Sequence, residues 1–261
     1  MSGDDPWDFG FSETGVAFKS AAQSARVWTE EWVGRWCYCP NCGSPNLEPF
    51  GANRPVADFG CRDCPEEYEL KSTKGRFGPK VVDGAYGTMM RRLAASNNPN
   101  LILLGYDAAT LRVTDLTVVP KQFFTPEVIE QRKPLADTAR RAGWVGCNIL
   151  LGKIPRAGQL PIVRSGLRTD KAAVLEQWRS TLFIRERPLA SRTWLAEVMK
   201  CVEAIGKAEF TLAEVYAHEG ELRMAYPRNQ NVRPKIRQQL QVLRDAGYLQ
   251  FLAPGVYKRA A

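Results

Sequence analysis

Seven cysteines stand at positions 37, 39, 42, 61, 64, 147 and 201. Four form two pairs, Cys39-Pro-Asn-Cys42 and Cys61-Arg-Asp-Cys64, with 18 residues between the pairs. A two-residue gap lets a tight turn aim both sulfurs at one centre, and two such turns complete a tetrahedral shell of thiolates around Zn2+. Gly43, directly after the first pair, suits the positive φ on which such a turn ends. A redox dithiol needs one pair, so two pairs point to metal. Four protein sulfurs close the shell and leave no position for water or substrate, which makes the ion a staple. Its binding contributes folding free energy, on the order of 10 kcal/mol in small zinc modules. Cys37 could compete as a ligand but stands only two positions from Cys39, so Cys37, Cys147 and Cys201 are read as structural thiols.

Around the second pair the chain reads RPVADFGCRDCPEEYELKSTKG from Arg54. Val56 to Phe59 looks like the end of one strand and Glu66 to Ser72 like the next, with the cysteine turn between them. In the second strand Glu69 and Lys71 share a face, and Tyr68 and Leu70 take the other. Asp58 would sit on the facing strand. Asp, ten residues, then Glu-x-Lys is the pattern of the PD-(D/E)xK nucleases. A hard cation such as Mg2+ takes carboxylate oxygens and carbonyls, so Asp58, Glu69 and the Leu70 backbone carbonyl would hold it. The ion polarises a scissile phosphate and activates water. Lys71 would orient that water and stabilise the growing negative charge. Lys74, Arg76 and Lys80 follow among glycines, as residues that meet phosphates do. The same string would also suit a solvated hairpin with its charges outward. Glu30 or Glu31, on a preceding helix, would reach toward the metal or simply face solvent.

The single histidine, His218, excludes chemistry that needs several, and serves here as a surface helical residue. The net charge of +8 favours a polyanionic partner. No apolar run approaches the roughly 20 residues of a membrane helix. The opening MSGDDPWDFG has no basic and apolar signal pattern, and the cysteine count is odd, so a reducing, cytoplasmic setting and no membrane partner are expected.

The elements that must position these groups follow from periodicity. Phe18 to Arg35 places Ala21, Ala25, Trp28 and Trp32 at helical spacing. Asp83 to Ala95 reads as a helix, Leu101 to Tyr106 and Leu111 to Val119 as strands, and Pro126 to Gln131 as a short helix. Val145 to Leu151 and Leu160 to Arg164 read as strands, and Asp170 to Glu186 as one helix. The expected class is a mixed α/β nuclease domain with an embedded four-cysteine zinc site, residues 1–187, followed by a winged helix, residues 188–261, the boundary set by Pro188 and the polar stretch around Arg185.

In that second part Ser191 would cap a helix running to Ile205. Thr211 with Glu214 forms a capping box for the next. A third runs from Asn231 to Gly247 with Pro234 in its first turn. YLQFLAPGVYKR gives two short strands around Pro254-Gly255, a wing. Ile236, Leu240, Val242 and Leu243 would be the buried stripe of the third helix, leaving Arg233, Lys235, Arg237, Gln238 and Gln241 to meet base edges and phosphates. A winged helix that binds protein is the competing reading, and the basic start of the helix favours DNA.

Nearly the whole chain resembles the DpnI-like methyl-directed (type IIM) restriction endonucleases. The resemblance is carried by TEEWV at 29, CPNCG at 39, NRPVADF at 53, the EL-K segment at 69, DGAYGTMM at 83, RKPLADTARRAGWVGCNI at 132 and KIRQQLQVLRD at 235. It implies cleavage of duplex DNA at GATC only when the adenine is N6-methylated, with Mg2+ as catalytic cofactor and Zn2+ as structural one. It places the metal-binding acids on Asp58 and Glu69, the lysine on Lys71 and the zinc ligands on Cys39, Cys42, Cys61 and Cys64. The partner is then adenine-methylated double-stranded DNA, and no protein partner is implied. Reading an N6-methyl needs an apolar or aromatic surface beside a hydrogen-bond acceptor. Trp144, beside Gly143 and preceded by Arg140 and Arg141, is the candidate. A non-catalytic zinc-ribbon and winged-helix regulator, or a nuclease of another specificity, are the alternatives, and the carboxylate–lysine hairpin argues against the first.

Overall fold

The computed structural model describes residues 7–11, 20–51, 57–95 and 98–260. Residues 52–56, which include the expected strand start at Val56, and Phe18 at the expected helix start lie outside them. In chain order the elements are α1 (Ala21–Trp36), β1 (Leu47–Pro49), β2 (Phe59–Cys61), β3 (Glu67–Lys74), β4 (Lys80–Ala85), α2 (Tyr86–Ala95), β5 (Asn100–Asp107) and β6 (Arg112–Val119). Next come β7 (Ile129–Gln131), β8 (Gly146–Leu150), β9 (Leu160–Arg164), β10 (Leu167–Arg168) and α3 (Lys171–Arg179). The C-terminal part holds α4 (Leu189–Ile205), β11 (Glu209–Thr211), α5 (Leu212–Tyr216), α6 (Glu219–Ala225), α7 (Val232–Asp245), β12 (Leu249–Ala253) and β13 (Val256–Arg259).

Contacts group these elements into two compact units, residues 1–81 with 95–121 and 159–179, and residues 82–94 with 122–158 and 180–261. The first unit holds a mixed sheet of order β1-β2-β3-β5-β6-β9-β10. β3 and β5 run parallel, Glu69 opposite Leu101 and Lys71 opposite Leu103, and β2 meets β3 antiparallel. β5 is buried from Asn100 to Tyr106, so its continuous LILLGY run reads as a strand covered on both faces. A buried polar knot fixes one end of this pair. The Asn100 amide donates to Glu66 Oε2 at 2.8 Å and to the Glu67 carbonyl at 2.9 Å. Lys121 Nζ lies 3.3 Å from the same Glu66 oxygen, and its backbone N–H donates to Asn100 Oδ1 at 2.9 Å. Satisfying a carboxylate this deeply buried requires such partners.

The second unit holds a three-stranded sheet of order β4-β8-β7 and a winged helix whose wing sheet has the order β11-β13-β12. Glu203 of α4 accepts backbone N–H groups of Arg156 and Ala157 at 2.8 and 3.1 Å, and Thr193 donates to Glu127 at 3.0 Å. The segment before the winged helix is therefore tied to it.

Several boundaries differ from expectation. Lys80–Ala85 is a strand, so the helix begins at Tyr86 and not Asp83; Val81 and Asp83 alternate inward, and Tyr86 donates to the Val145 carbonyl. Pro126–Val128 makes one 3-10 turn, after which Ile129–Gln131 pairs with β8. The expected helix from Asp170 stops at Arg179, because Thr181 is buried and its hydroxyl accepts from Gln122 at 3.0 Å. Pro188, not Ser191, precedes α4; its carbonyl accepts from the N–H groups of Ser191 and Arg192, and a fixed φ pre-sets a helix start. The second helix of the winged helix is broken into α5 and α6, with the half-buried His218 between them, 3.7 Å from Glu221. Thr211 and Glu214 do form the capping box. On α7 the buried residues are Val232, Ile236, Gln239, Leu240 and Leu243; Val242 is only half-buried, since it lies to the side of the i, i+4, i+7 stripe.

Candidate active site

The four paired cysteines converge. Their sulfurs all lie within 4.8 Å of one another, with Cys39 to Cys64 at 3.6 Å and Cys42 to Cys61 at 3.5 Å. A zinc–thiolate tetrahedron has edges of roughly 3.8 Å, so both spacing and donor set fit Zn2+. Among the described residues these are the only cluster of this kind, and Cys37 is outside it. Burial pushes the Cys37 thiol up to about 12, which suits a packed, inert thiol. Gly43 has φ +82°, and a Cβ there would lie 3.1 Å from Leu175. α3 docks on this first turn: Lys171 Nζ donates to the Gly43 carbonyl at 2.8 Å and Trp178 Nε1 to Asn41 Oδ1 at 2.8 Å.

The cluster leads directly to the carboxylates. Tyr68, fully buried in β3, places its hydroxyl 3.1 Å from Cys39 Sγ. Burial raises the phenol well above its ordinary value, so it remains a neutral donor to a thiolate. Such outer-shell bonds orient metal ligands, and this one also fixes β3 one residue before Glu69. Asp58 is held through its backbone, donating to the Tyr68 carbonyl and accepting from Phe50, both at 2.8 Å. Its side chain accepts from Leu70 N–H at 2.7 Å through Oδ2. In an extended strand the N–H and C=O of one residue point to the same edge, so the Leu70 carbonyl faces the side on which Asp58 lies. Lys71 Nζ sits 2.7 Å from Glu69 Oε1, both side chains half-buried. Asp58, Glu69, Leu70 and Lys71 thus share one hairpin. Hard oxygen donors with an adjacent ammonium fit Mg2+ rather than a soft metal.

Glu30 is paired with Arg26 at 2.6 Å and Glu31 is exposed. Lys74 and Lys80 are exposed. Arg76 is engaged by Asp115 at 3.1 Å and by Ser165 at 2.6 Å, beside Gly75 at φ +74°. In the other unit Trp144 is half-exposed on the loop between β7 and β8, not in a core. Leu135 donates to its carbonyl at 2.9 Å, and the Arg141 guanidinium lies 4.9 Å over its ring. A Cβ on Gly146 would come within 2.8 Å of that ring. Arg140 and Arg141 are exposed on the same loop. On α7, Arg233, Arg237, Gln238 and Gln241 are exposed, while Lys235 is half-buried and donates to Gln238 at 2.8 Å. The Tyr68 brace and the docking of α3 were not expected from sequence; a tyrosine shortly after a cysteine turn carries no signal of where its hydroxyl goes.

The fold and site define a mixed α/β protein that carries a four-cysteine metal cluster and ends in a helix-turn-helix module. A family model for DpnI, the Dam-replacing family, matches residues 11–187, and one for the Dam-replacing HTH domain matches residues 190–259. The chain belongs to the Dam-replacing family, in keeping with its resemblance to methyl-directed endonucleases. Among the described residues no helix is long and apolar enough to cross a membrane.

Proposed function

We propose that this protein is a Mg2+-dependent restriction endonuclease that hydrolyses duplex DNA at GATC sites carrying N6-methyladenine, with a PD-(D/E)xK domain at residues 1–187 and a DNA-reading winged helix at 188–261. The observation that carries the reading is the hairpin on which Asp58 is bonded to Leu70 and Lys71 to Glu69. Asp58, Glu69 and the Leu70 carbonyl would hold Mg2+, which would supply Lewis acidity toward a phosphate oxygen and toward the attacking water. Lys71, oriented by Glu69, steers the water and meets the charge that grows on the phosphate oxygens. Asp58, fixed by Leu70 N–H, keeps its oxygens in place without reorganisation. Zn2+ at Cys39, Cys42, Cys61 and Cys64 keeps the hairpin closed.

Lys74, Arg76, Lys80, Arg140 and Arg141 serve as phosphate contacts, and the α7 side chains meet the groove. Trp144 offers the methyl group an aromatic face. The test is digestion of one plasmid prepared from adenine-methylating and non-methylating hosts, with Mg2+ or with chelator. Cutting confined to the methylated plasmid with Mg2+ is expected. Cutting of both plasmids removes the methyl specificity, and binding without cutting under any divalent metal removes the nuclease.

A further inference from the structure

On the winged helix one carboxylate serves two guanidinium groups. Glu219, at the start of α6, accepts from Arg223 Nε and Nη2 at 3.1 and 2.8 Å through Oε1. Its other oxygen, Oε2, accepts from Arg233 Nε at 2.6 Å. The Arg233 guanidinium also lies 5.0 Å over the Tyr216 ring. Glu219 is mostly covered, at 16% exposed, while the two arginines stand at 55% and 61%. One negative charge against two positive leaves the group cationic. Both Nη groups of Arg233 and Nη1 of Arg223 have no hydrogen-bond partner among the described residues.

A surface ion pair meant only for stability gains little and has no use for a second arginine. Here each guanidinium is bound on its inner edge and turned outward on the other. The order of the chain assigns their partners. Arg233 is the second residue of α7, and the N-terminal residues of a recognition helix meet base edges, whereas the helix before it crosses the phosphate backbone. A planar fork clamped by a carboxylate and a ring matches the O6 and N7 acceptors of guanine. We propose that Glu219 is a positioning residue that holds Arg233 as a bidentate reader of a guanine in the major groove and Arg223 as a phosphate clamp. The proposal rests on the reading that α7 enters duplex DNA.

The experiment measures binding of the full-length protein, in Ca2+ to prevent cutting, to a methylated GATC duplex and to the same duplex with 7-deazaguanine at the site guanines. Wild type is expected to favour guanine by about tenfold, the size of one good bidentate contact. Glu219→Gln, which keeps the shape and loses the charge, is expected to bring that ratio close to one with an unchanged thermal transition. Arg233→Lys keeps the charge and loses the fork; it should abolish the ratio while leaving the salt slope as it was. Arg223→Ala should keep the ratio and lower the slope of log affinity against log salt by about one. A wild type that ignores 7-deazaguanine, or a Glu219→Gln or Arg233→Lys variant that keeps the full ratio, overturns the proposal while leaving methyl-dependent cutting intact. A wild type that binds no duplex removes the proposal and the reading beneath it together.

Discussion

Around Asp58 and Glu69 the braces run from the sulfur cluster at the turn into the core: the Tyr68 hydroxyl on the buried Cys39, and the Glu66–Asn100–Lys121 knot at the foot of the strand pair. Around Trp144 they lie at the surface. Its seat consists of two backbone hydrogen bonds, one accepted from Leu135 and one donated to the Arg141 carbonyl, a guanidinium resting on the ring, and the missing side chain of Gly146. The contrast matches the role proposed for each region. Chemistry on a phosphodiester needs oxygens fixed before the substrate arrives. A surface that reads a methyl group needs an accessible ring and tolerates a looser mount. Damage near the first should show in stability as well as rate, and damage near the second in discrimination alone.

Stripping zinc should break the contrast most severely. With removal verified by metal analysis, the thermal transition should fall or broaden by an amount in keeping with roughly 10 kcal/mol of lost binding, and Zn2+ but not Mg2+ should restore it. An unchanged transition would show that the cluster is not a staple. Asp58→Ala should lower cutting at least about a thousandfold while duplex binding stays within severalfold, read by cleavage and gel-shift assays side by side; retained cutting would remove the proposed mechanism. Glu66→Ala leaves Lys121 half-buried beside an Asn100 amide short of one acceptor, and should cost about 3 kcal/mol in denaturant unfolding. Trp144→Ala should hold its thermal transition within a degree or two and yet lose most of its preference for methylated over unmethylated sites. If the preference survives intact, the ring is not the reader.

The smallest effect concerns acid. Glu214 is held at about 2 by the Lys207 ammonium and by the backbone and hydroxyl of Thr211. A carboxyl whose folded pKa lies below its unfolded value adds stability above that unfolded value and gives it up as the pH falls toward the folded one. The winged helix should therefore weaken between about pH 4.5 and 2, and Glu214→Gln should flatten that part of the curve.

The cysteine cluster and the hairpin were legible in sequence because both are local: two-residue gaps fix the turns, and strand alternation fixes which side chains share a face. What failed was decided at long range. Asp83 sits in a strand because β8 offers backbone partners that no local pattern announces. The helix expected from Asp170 stops where Thr181 finds Gln122, a residue 59 positions away. The bonds from Arg76, proposed above as a phosphate contact, to Asp115 and Ser165 are likewise reached only through folding. On α7, Gln239 is buried although polar, a departure that hydropathy spacing cannot foresee.

The bond from Trp178 to Asn41 makes an indole, fully enclosed, part of the wall behind Cys39 and Cys42. Loss of the ion would loosen that wall first, wetting the indole before the remainder of the sheet opens. The chain thus contains its own optical gauge of metal occupancy, readable as a red shift in emission and erased selectively by Trp178→Phe.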